Sequence, residues 1–428
     1  MAREIKQFQK QFDNLLAYWP NEDPDLRKLR SKAFDQFKSL GLPTKQWEEW
    51  QFTDFSSLKK INFRLSQSKD LPQIPENISG RIPNSYLIYI VNGHYQKDLS
   101  EIPESISIST GIDHFQSNKE LYIDNNNLNP FSALNTSMMN SGICIALDSN
   151  TVIDKPIQVI YSTIDILNPL MNHPKFIFQL GKNSEATIIE HYKGSTELAY
   201  FINPVSNVIL EDNAKLCHFR IEEDDALANH IASTNYILNS DSQLNSVSTS
   251  SGSKLFRHNI NLAFNNKGGY ATINGLSTIK NDQHHDQHII IDHFHNACQS
   301  EQLFKYILSD RSSGVFNGKV VVKENTQHTD ADQANKNLLL SSDAIMNTNP
   351  QLEIYSEDVK CSHGSTTGQI DSEALFYLQS RGISKSKSIE LIINGFAKDI
   401  VEQINNEDVK NYINTKVTNW IEEVLIDA

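Results

Sequence analysis

Between about residues 141 and 370, short apolar runs alternate with turn-forming clusters, and this rhythm constrains the fold more than any other feature. The runs are four to eight residues long, as in Ile143–Leu147 and Val205–Leu210. The clusters between them are rich in Asn, Asp, Ser and Gly, which favour turns. Several clusters recur at intervals of roughly 28 residues. Such a period indicates a solenoid, in which each repeat stacks on its neighbours.

A β-helix, a coil of short parallel strands, accounts for this pattern. Each turn of the coil buries its apolar side chains, while its backbone pairs with the turns above and below. No convincing helical pattern interrupts the run. A β-sandwich is the alternative fold, because its strands also recur at short spacing.

Helical patterns flank this core. In residues 1–65, apolar residues recur at three- and four-residue steps, which predicts amphipathic helices. Residues 66–140, with frequent Pro between 71 and 103, predict a linker and irregular segment before the β-helix core of residues 141–370. Residues 371–428 predict further helices, one starting at Asp371 or Ser372 and the next at Ser384. We expect this last region to cap the solenoid.

Residues 350–371 hold the most suggestive chemical pair, Cys361 and His363. If this segment is a strand, both side chains point to one face, with their β-carbons about 7 Å apart. They could then share one metal ion or the edge of one cluster. Two ligands do not complete a structural metal site, which normally has about four. Other residues of this chain, or of a partner, would have to complete it. The alternative is a buried cysteine beside a surface histidine.

A second group of candidate ligands lies upstream. Five histidines and two aspartates fall within twelve positions: His284, His285, Asp286, His288, Asp292, His293 and His295. A strand over residues 288–295 would place His293 and His295 on one face and His288 with Asp292 on the other. A site of two histidines and one carboxylate is conceivable. The alternative is a polar face with one or two hydrogen-bonded core histidines.

Composition excludes several classes of function. A net charge of −14 argues against binding to nucleic acid or to an anionic membrane. The four cysteines are widely spaced, which argues against a disulfide framework and favours a reducing compartment. The first residues lack an apolar export signal, and no stretch approaches the about 20 apolar residues of a membrane span. We therefore expect a soluble, cytoplasmic protein that binds neither nucleic acid nor membranes.

The segment around Cys361 also resembles a known family. Pro-Gln-Leu-Glu-Ile at 350–354 and Asp-Val-Lys-Cys-Ser-His-Gly at 358–364 resemble the SufD proteins of the SUF iron–sulfur cluster assembly system, and residues 376–383 continue the likeness. The paralogous SufB proteins have a Glu-His-Glu-Ala-Thr pattern here, so the resemblance is to the D type of the SufB/SufD family. Two positions depart from it: Ser365 where Ala is usual and Gln369 where Arg is usual.

Residues 286–305 also follow the SufB/SufD pattern. In that family these positions look mainly like ones that define the turns of the solenoid. We therefore do not assign the histidine group as ligands.

The resemblance implies a right-handed parallel β-helix core with α-helical N- and C-terminal regions. It also implies a non-enzymatic scaffold that pairs with a SufB-like protein and docks a SufC-like ATPase through residues 371–428. Cys361 and His363 would then lie at the edge of a transient iron–sulfur cluster that the partner completes. No cofactor is expected to bind the isolated chain tightly. A homodimer of the isolated chain is a further alternative.

Two other classes of function are weaker alternatives. β-Helix enzymes that act on polysaccharides are commonly secreted and carry basic grooves, whereas this chain is acidic. A metalloprotein built on the histidine group would hold a stoichiometric metal. A nucleotide hydrolase of the P-loop type is excluded, because the sequence has no Gly-x-x-x-x-Gly-Lys-Ser/Thr loop.

Overall fold

The fold is described from a computed structural model, in residues 3–74, 77–103, 106–110, 115, 119–122 and 129–426. The protein is mainly β, with 42% strand and 26% helix, and forms a β-solenoid of about 8 turns with helices at both ends of the chain. The β-helix prediction is therefore confirmed, and the β-sandwich alternative is wrong.

The strands fall into a short N-terminal group and a long regular series. The first group is β1 (Arg64–Leu65), β2 (Tyr86–Val91), β3 (His94–Tyr95), β4 (Ser107–Thr110), β5 (Ile143–Leu147), β6 (Ile157–Ile164), β7 (Leu170–Asn172), β8 (Lys175–Leu180), β9 (Glu185–Ser195) and β10 (Phe201–Ile202). The series continues with β11 (Val205–Leu210), β12 (Lys215–Glu223), β13 (Asn229–Leu238), β14 (Gln243–Ser250), β15 (Leu255–Phe264), β16 (Tyr270–Ile279), β17 (His284–His293), β18 (Gln299–Leu308), β19 (Ser313–Val322), β20 (Thr329–Leu339), β21 (Ile345–Ile354) and β22 (Val359–Gln369).

Successive strands alternate between two largely parallel sheets. From β11 onward the first sheet runs β11-β13-β15-β17-β19-β21 and the second runs β12-β14-β16-β18-β20-β22. Partners in neighbouring turns are 28 residues apart between β11 and β13, as in Val205 and Ser233, and 30 apart between β20 and β22. This register is the structural origin of the recurrence in the sequence.

Alternation along each strand separates an inner face from an outer face. Most inner positions near the N-terminal end are apolar and form the main core, which includes Ile145, Phe178 and Leu210. In β12, Phe219 and Ile221 belong instead to the outer cluster that packs against the C-terminal helices. The intervening Arg220 is buried on the inner face, so the interior of the middle turns is partly polar.

The N-terminal helices cover the outside of the first sheet. They are α1 (Arg3–Tyr18), α2 (Pro24–Leu40), α3 (Ser56–Lys60) and α4 (Pro130–Met138). Their aromatic side chains pack in one cluster with Ile231 of β13 and Leu255 of β15. A buried guanidinium, that of Arg257 on β15, lies 3.6 Å from the ring centre of Trp50 and binds Asp286 of β17 at 2.5 Å.

Within residues 66–140, the segment predicted as a linker, the residues that the structure describes contribute to the sheets and the core. Strand β2 pairs in parallel with β6 and extends the second sheet. Its run Tyr-Leu-Ile-Tyr-Ile-Val is buried from Leu87 to Val91 on both faces. Helix α4 is buried throughout its length. The continuous apolar run of β2 is typical of a strand covered on both sides.

The C-terminal helices are α5 (Ser372–Ser380), α6 (Lys385–Val401) and α7 (Glu407–Ile426). As predicted, Asp371 caps α5 and Ser384 caps α6, because their side chains accept backbone N–H groups. Helices α6 and α7 pack along the flank of the second sheet rather than over the end of the solenoid. None of the described helices is long and apolar enough to cross a membrane.

Hydrogen bonds to charged side chains fix these two helices to the sheet. Lys305 of β18 reaches Asp399 of α6 at 2.6 Å. Glu223 of β12 accepts from Tyr412 at 2.6 Å and pairs with Lys416 at 2.7 Å, both on α7. The last turn of the solenoid lies beyond these contacts: β22 is mostly exposed and β21 is mostly half-buried.

Candidate functional site

The exposed last turn carries the predicted site. Strand β22 ends the second sheet and β21 ends the first, so each is an edge strand. An edge strand presents unpaired backbone N–H and C=O groups to a partner. Every residue of β22 from Ser362 to Gln369 is exposed. This end of the solenoid is therefore a strand edge available for pairing.

Cys361 and His363 lie on the inner face of β22, as the strand prediction requires. In the parallel register, Cys361 is opposite Ala331 and His363 is opposite Gln333. Ser365, two residues further along, meets Thr348 of β21 with their hydroxyl oxygens 2.7 Å apart. Odd-numbered residues of β22 thus face the interior of the solenoid. The predicted strand and the shared face are both confirmed.

The two side chains differ in environment. Cys361 is half-buried against a small apolar cluster that includes Val320, Val322 and Ala331, whereas His363 is exposed. Burial, with a further contribution from the charge of Asp330, raises the pKa of the Cys361 thiol. The thiol is therefore protonated at neutral pH, and binding a metal would release its proton.

The described part of the chain does not complete a ligand set around this pair. Its one group of three closely spaced potential metal ligands is Glu222, Asp224 and His230, in the middle of the solenoid. The Cys361–His363 pair therefore has the chemistry of an open site, with a soft sulfur ligand and an imidazole on one accessible face.

The histidine group is divided between the two faces of β17. The expected strand over residues 288–295 is confirmed only as far as His293, because the strand spans His284–His293 and the exposed His295 lies beyond it. The chain turns after His293, and Ala297 adopts a positive φ of 58°. His285 and His293 belong to the inner face, whereas His284 belongs to the outer one.

Three of these histidines, His284, His285 and His293, take part in separate hydrogen bonds rather than converging on one point. On the inner face, His285 Nδ1 lies 3.0 Å from the Ser250 hydroxyl. On the outer face, His284 Nε2 lies 3.0 Å from the Thr53 hydroxyl. Burial lowers the pKa of His285 to about 3 and that of His293 to about 4. The arrangement matches the hydrogen-bonded core histidines that were the alternative to a metal site.

The group of Glu222, Asp224 and His230 was not foreseen from the sequence. Its potential ligand atoms lie within 4.8 Å of one another. His230 Nδ1 is 2.6 Å from Asp224, and Arg220 donates to His230 Nε2 at 2.6 Å. A guanidinium is always charged, so Arg220 already supplies a positive charge close to Asp224. We interpret the group as a buried ion network.

Burial also determines the protonation state of Glu222 within that network. Burial, with the neighbouring charge of Asp224, raises the pKa of Glu222 to about 8. No short motif announces the group, because its members come from β12, from the loop after it and from β13. The local signal is the acidic run Glu222-Glu223-Asp224-Asp225 at the end of an apolar strand.

A second exposed surface lies on α5, directly after β22. Phe376 and Tyr377 are 72% and 58% exposed, and contiguous exposed apolar side chains often mark an interaction site. Gly382, with a φ of 86°, ends this helical segment before α6 begins. We call Phe376 and Tyr377 the α5 aromatic pair.

Comparison with known families covers nearly the whole chain. A family model described as the SufBD protein N-terminal region matches residues 3–159. A second, described as the SufBD core domain of SUF system FeS cluster assembly, matches residues 164–396. This chain belongs to the SufBD family. The core match spans the solenoid from the end of β6 through most of α6, including Cys361 and His363.

Individual relatives support the D type within the SufBD family. An iron–sulfur cluster assembly SufBD family protein of Synechocystis is 33% identical over 404 residues, covering 90% of this chain and 88% of the relative. The iron–sulfur cluster assembly protein SufD of Escherichia coli is 30% identical over 384 residues, covering 89% and 90%. The SufD protein of Bacillus subtilis is 23% identical over 406 residues. This SufBD protein is therefore an iron–sulfur cluster assembly protein similar to SufD.

Proposed function

We propose that this chain is a non-enzymatic scaffold subunit of the SUF system, pairing with a SufB-like protein and binding a SufC-like ATPase. A transient iron–sulfur cluster forms at the shared interface, and Cys361 and His363 provide its edge on this side. The cytoplasmic location indicated by the cysteine pattern stays a prediction.

The exposed last turn is the observation that carries this proposal. It combines two free strand edges with a soft ligand and an imidazole on one face. Backbone pairing with a second solenoid would cover the edges and bring further ligands to the same face. A second copy of this chain could offer the same edges. The SufB-like partner is preferred because SufB proteins have a Glu-His-Glu-Ala-Thr pattern at this segment and would add different ligands, whereas a second copy would only duplicate this pair.

The principal test is His363→Ala in the complex purified after co-expression with a SufB-like protein and a SufC-like ATPase. His363 is exposed, so its loss should change the free energy of unfolding by about 1 kcal/mol or less. We expect unchanged melting and co-purification but no iron–sulfur absorbance. Cys361→Ala should have a similar or weaker effect.

Ser365→Ala is the matched control, because it lies two residues away on the same face and introduces the residue usual in SufD proteins. The complex with this variant should contain a normal amount of iron–sulfur cluster. Normal cluster content in the His363→Ala complex would exclude His363 as a ligand. A collapsed fold in that variant would instead show a structural role.

The α5 aromatic pair is the proposed ATPase contact. Phe376→Ala with Tyr377→Ala should abolish co-purification of the ATPase without lowering the melting temperature, since both side chains are mostly exposed. Leu391→Ala, at a 43% exposed position on α6, is the control and should retain the ATPase. Retention of the ATPase by the double variant would place the contact elsewhere.

The scaffold role also predicts that the purified chain alone does not hydrolyse ATP. The measurement is phosphate release across size-exclusion fractions. Activity that follows this polypeptide would contradict the proposed role.

A further inference from the structure

The inner face of the last two strands in the second sheet shows a regular series of polar contacts. Asn335 of β20 accepts a hydrogen bond from Ser365 of β22 at 3.2 Å. Asn337 donates to the Thr367 hydroxyl at 3.0 Å. Each of these pairs is in direct register across the two strands. Side chains at these paired positions therefore reach one another.

Gln333 and His363 form the preceding pair in the same series. Among the described residues, no hydrogen bond joins these two side chains. Gln333 is 1% exposed, and its Nε2 donates to Gln302 Oε1 at 3.3 Å. Its Oε1 has no hydrogen-bond partner among the described residues. A buried carbonyl oxygen without a partner costs roughly 1–3 kcal/mol, so its retention requires an explanation.

The opposite sheet leaves room for this glutamine. A β-carbon added at Gly318 of β19 would overlap the Gln333 amide, with 2.9 Å to its Cδ, and would lie 2.7 Å from Phe316 Cζ. Because Gly318 has no side chain, the Gln333 amide fits into the interior of the solenoid beside it. Gln333 occupies the register position opposite His363.

We infer that Gln333 is a positioning residue for His363, an inference that rests on the proposed function. When His363 binds iron through one ring nitrogen, the N–H of its other ring nitrogen donates to Gln333 Oε1. Histidine ligands of metals almost always donate their second ring N–H to a carboxylate, carbonyl or water. This bond would fix the tautomer and turn the ring toward the face shared with Cys361. It would also satisfy the buried oxygen.

The test compares four variants in the co-expressed complex. Gln333→Met keeps the side-chain length but removes the acceptor. Gln333→Glu keeps an oxygen at that position. Gln302→Met removes the same Gln333–Gln302 bond while leaving the Gln333 amide in place. His363→Ala reports on the proposed ligand itself. Each complex is measured for melting temperature, partner content and the rate at which a chelator removes the cluster.

We expect Gln333→Met and Gln302→Met to melt alike and to keep their partners. Only Gln333→Met should lose its cluster faster, by about 10-fold or more, the usual effect of removing such a supporting bond. Gln333→Glu should restore most of the lost lifetime. Equal cluster loss in wild type and Gln333→Met would overturn the inference, and so would equal effects of Gln333→Met and Gln302→Met.

The His363→Ala arm separates the two ideas. A normal cluster in His363→Ala refutes the proposed ligand and, with it, this role of Gln333. A missing cluster in His363→Ala together with a wild-type lifetime in Gln333→Met refutes only the role of Gln333.

Discussion

The ion pair between Arg257 and Asp286 should be a principal attachment of the N-terminal helices to the solenoid. Both side chains are 1% exposed. Arg257 donates to Asp286 at 2.5 Å and to the Glu49 carbonyl at 2.8 Å, and its guanidinium stacks on Trp50. Asp286 also accepts from the Thr53 hydroxyl. Glu49, Trp50 and Thr53 precede α3, so the pair ties this segment to β15 and β17.

The size of the effect follows from burial. Removing one partner of a buried ion pair leaves an uncompensated charge and costs about 3–5 kcal/mol. Unfolding entropy of about 2.1 cal/mol/K per residue gives about 0.9 kcal/mol/K for 428 residues. Arg257→Met should therefore lower the melting temperature by about 3–6 °C. Asp286→Asn should have a similar effect.

A double-mutant cycle followed by urea unfolding tests this reasoning. The double variant Arg257→Met with Asp286→Asn leaves no buried charge, so it should be less destabilised than the sum of the single variants. Arg311→Met is the control, since its pair with Asp282 is exposed and should leave the unfolding midpoint unchanged. Additivity of the two single changes within about 0.5 kcal/mol would refute the coupling.

Two further predictions concern the interior. Burial lowers the pKa of His293 to about 4, whereas an unfolded histidine has a pKa of about 6.5. The stability that the neutral His293 contributes is therefore complete above about pH 6.5. It is lost as the pH falls towards 4. In His293→Gln, the free energy of unfolding should fall less over that pH range, by on the order of 3 kcal/mol in total. The free energy is measured by urea unfolding at several pH values. The same pH dependence in the variant and the wild type would contradict this prediction. Gly318→Ala should destabilise the fold by about 1–3 kcal/mol through overlap with Phe316 and Gln333. Gly364→Ala should not destabilise the fold, because its added β-carbon has no atom within 4 Å. Equal melting temperatures of the two variants would contradict the packing described around Gln333.

Sequence patterns predicted the features that depend on local spacing. The recurrence of turn clusters indicated the solenoid, and the alternation around Cys361 and His363 placed both on one face of a strand. The helix starts at Asp371 and Ser384 were also predictable, because capping depends on one side chain and the next few N–H groups.

Features that depend on distant turns were not predictable. Strand β12 has Phe219 and Ile221 on its outer face and Arg220 on its inner face, and both sets are buried. Its sequence alone cannot tell which face a helix covers, so the position of α6 and α7 on the flank was missed. The ion network of Arg220, Asp224 and His230 likewise requires the register between separate strands.

If a partner pairs with the exposed last turn as proposed, the stability of this chain would depend on the concentration of that partner. A partner that binds the folded edge but not the unfolded chain adds about 2.7 kcal/mol when its free concentration is 100 times Kd. Chains made in excess of that partner lack this contribution and present open strand edges, which are a route to aggregation. Balanced synthesis of the subunits would then stabilise the chain by an amount comparable to that of a single buried contact.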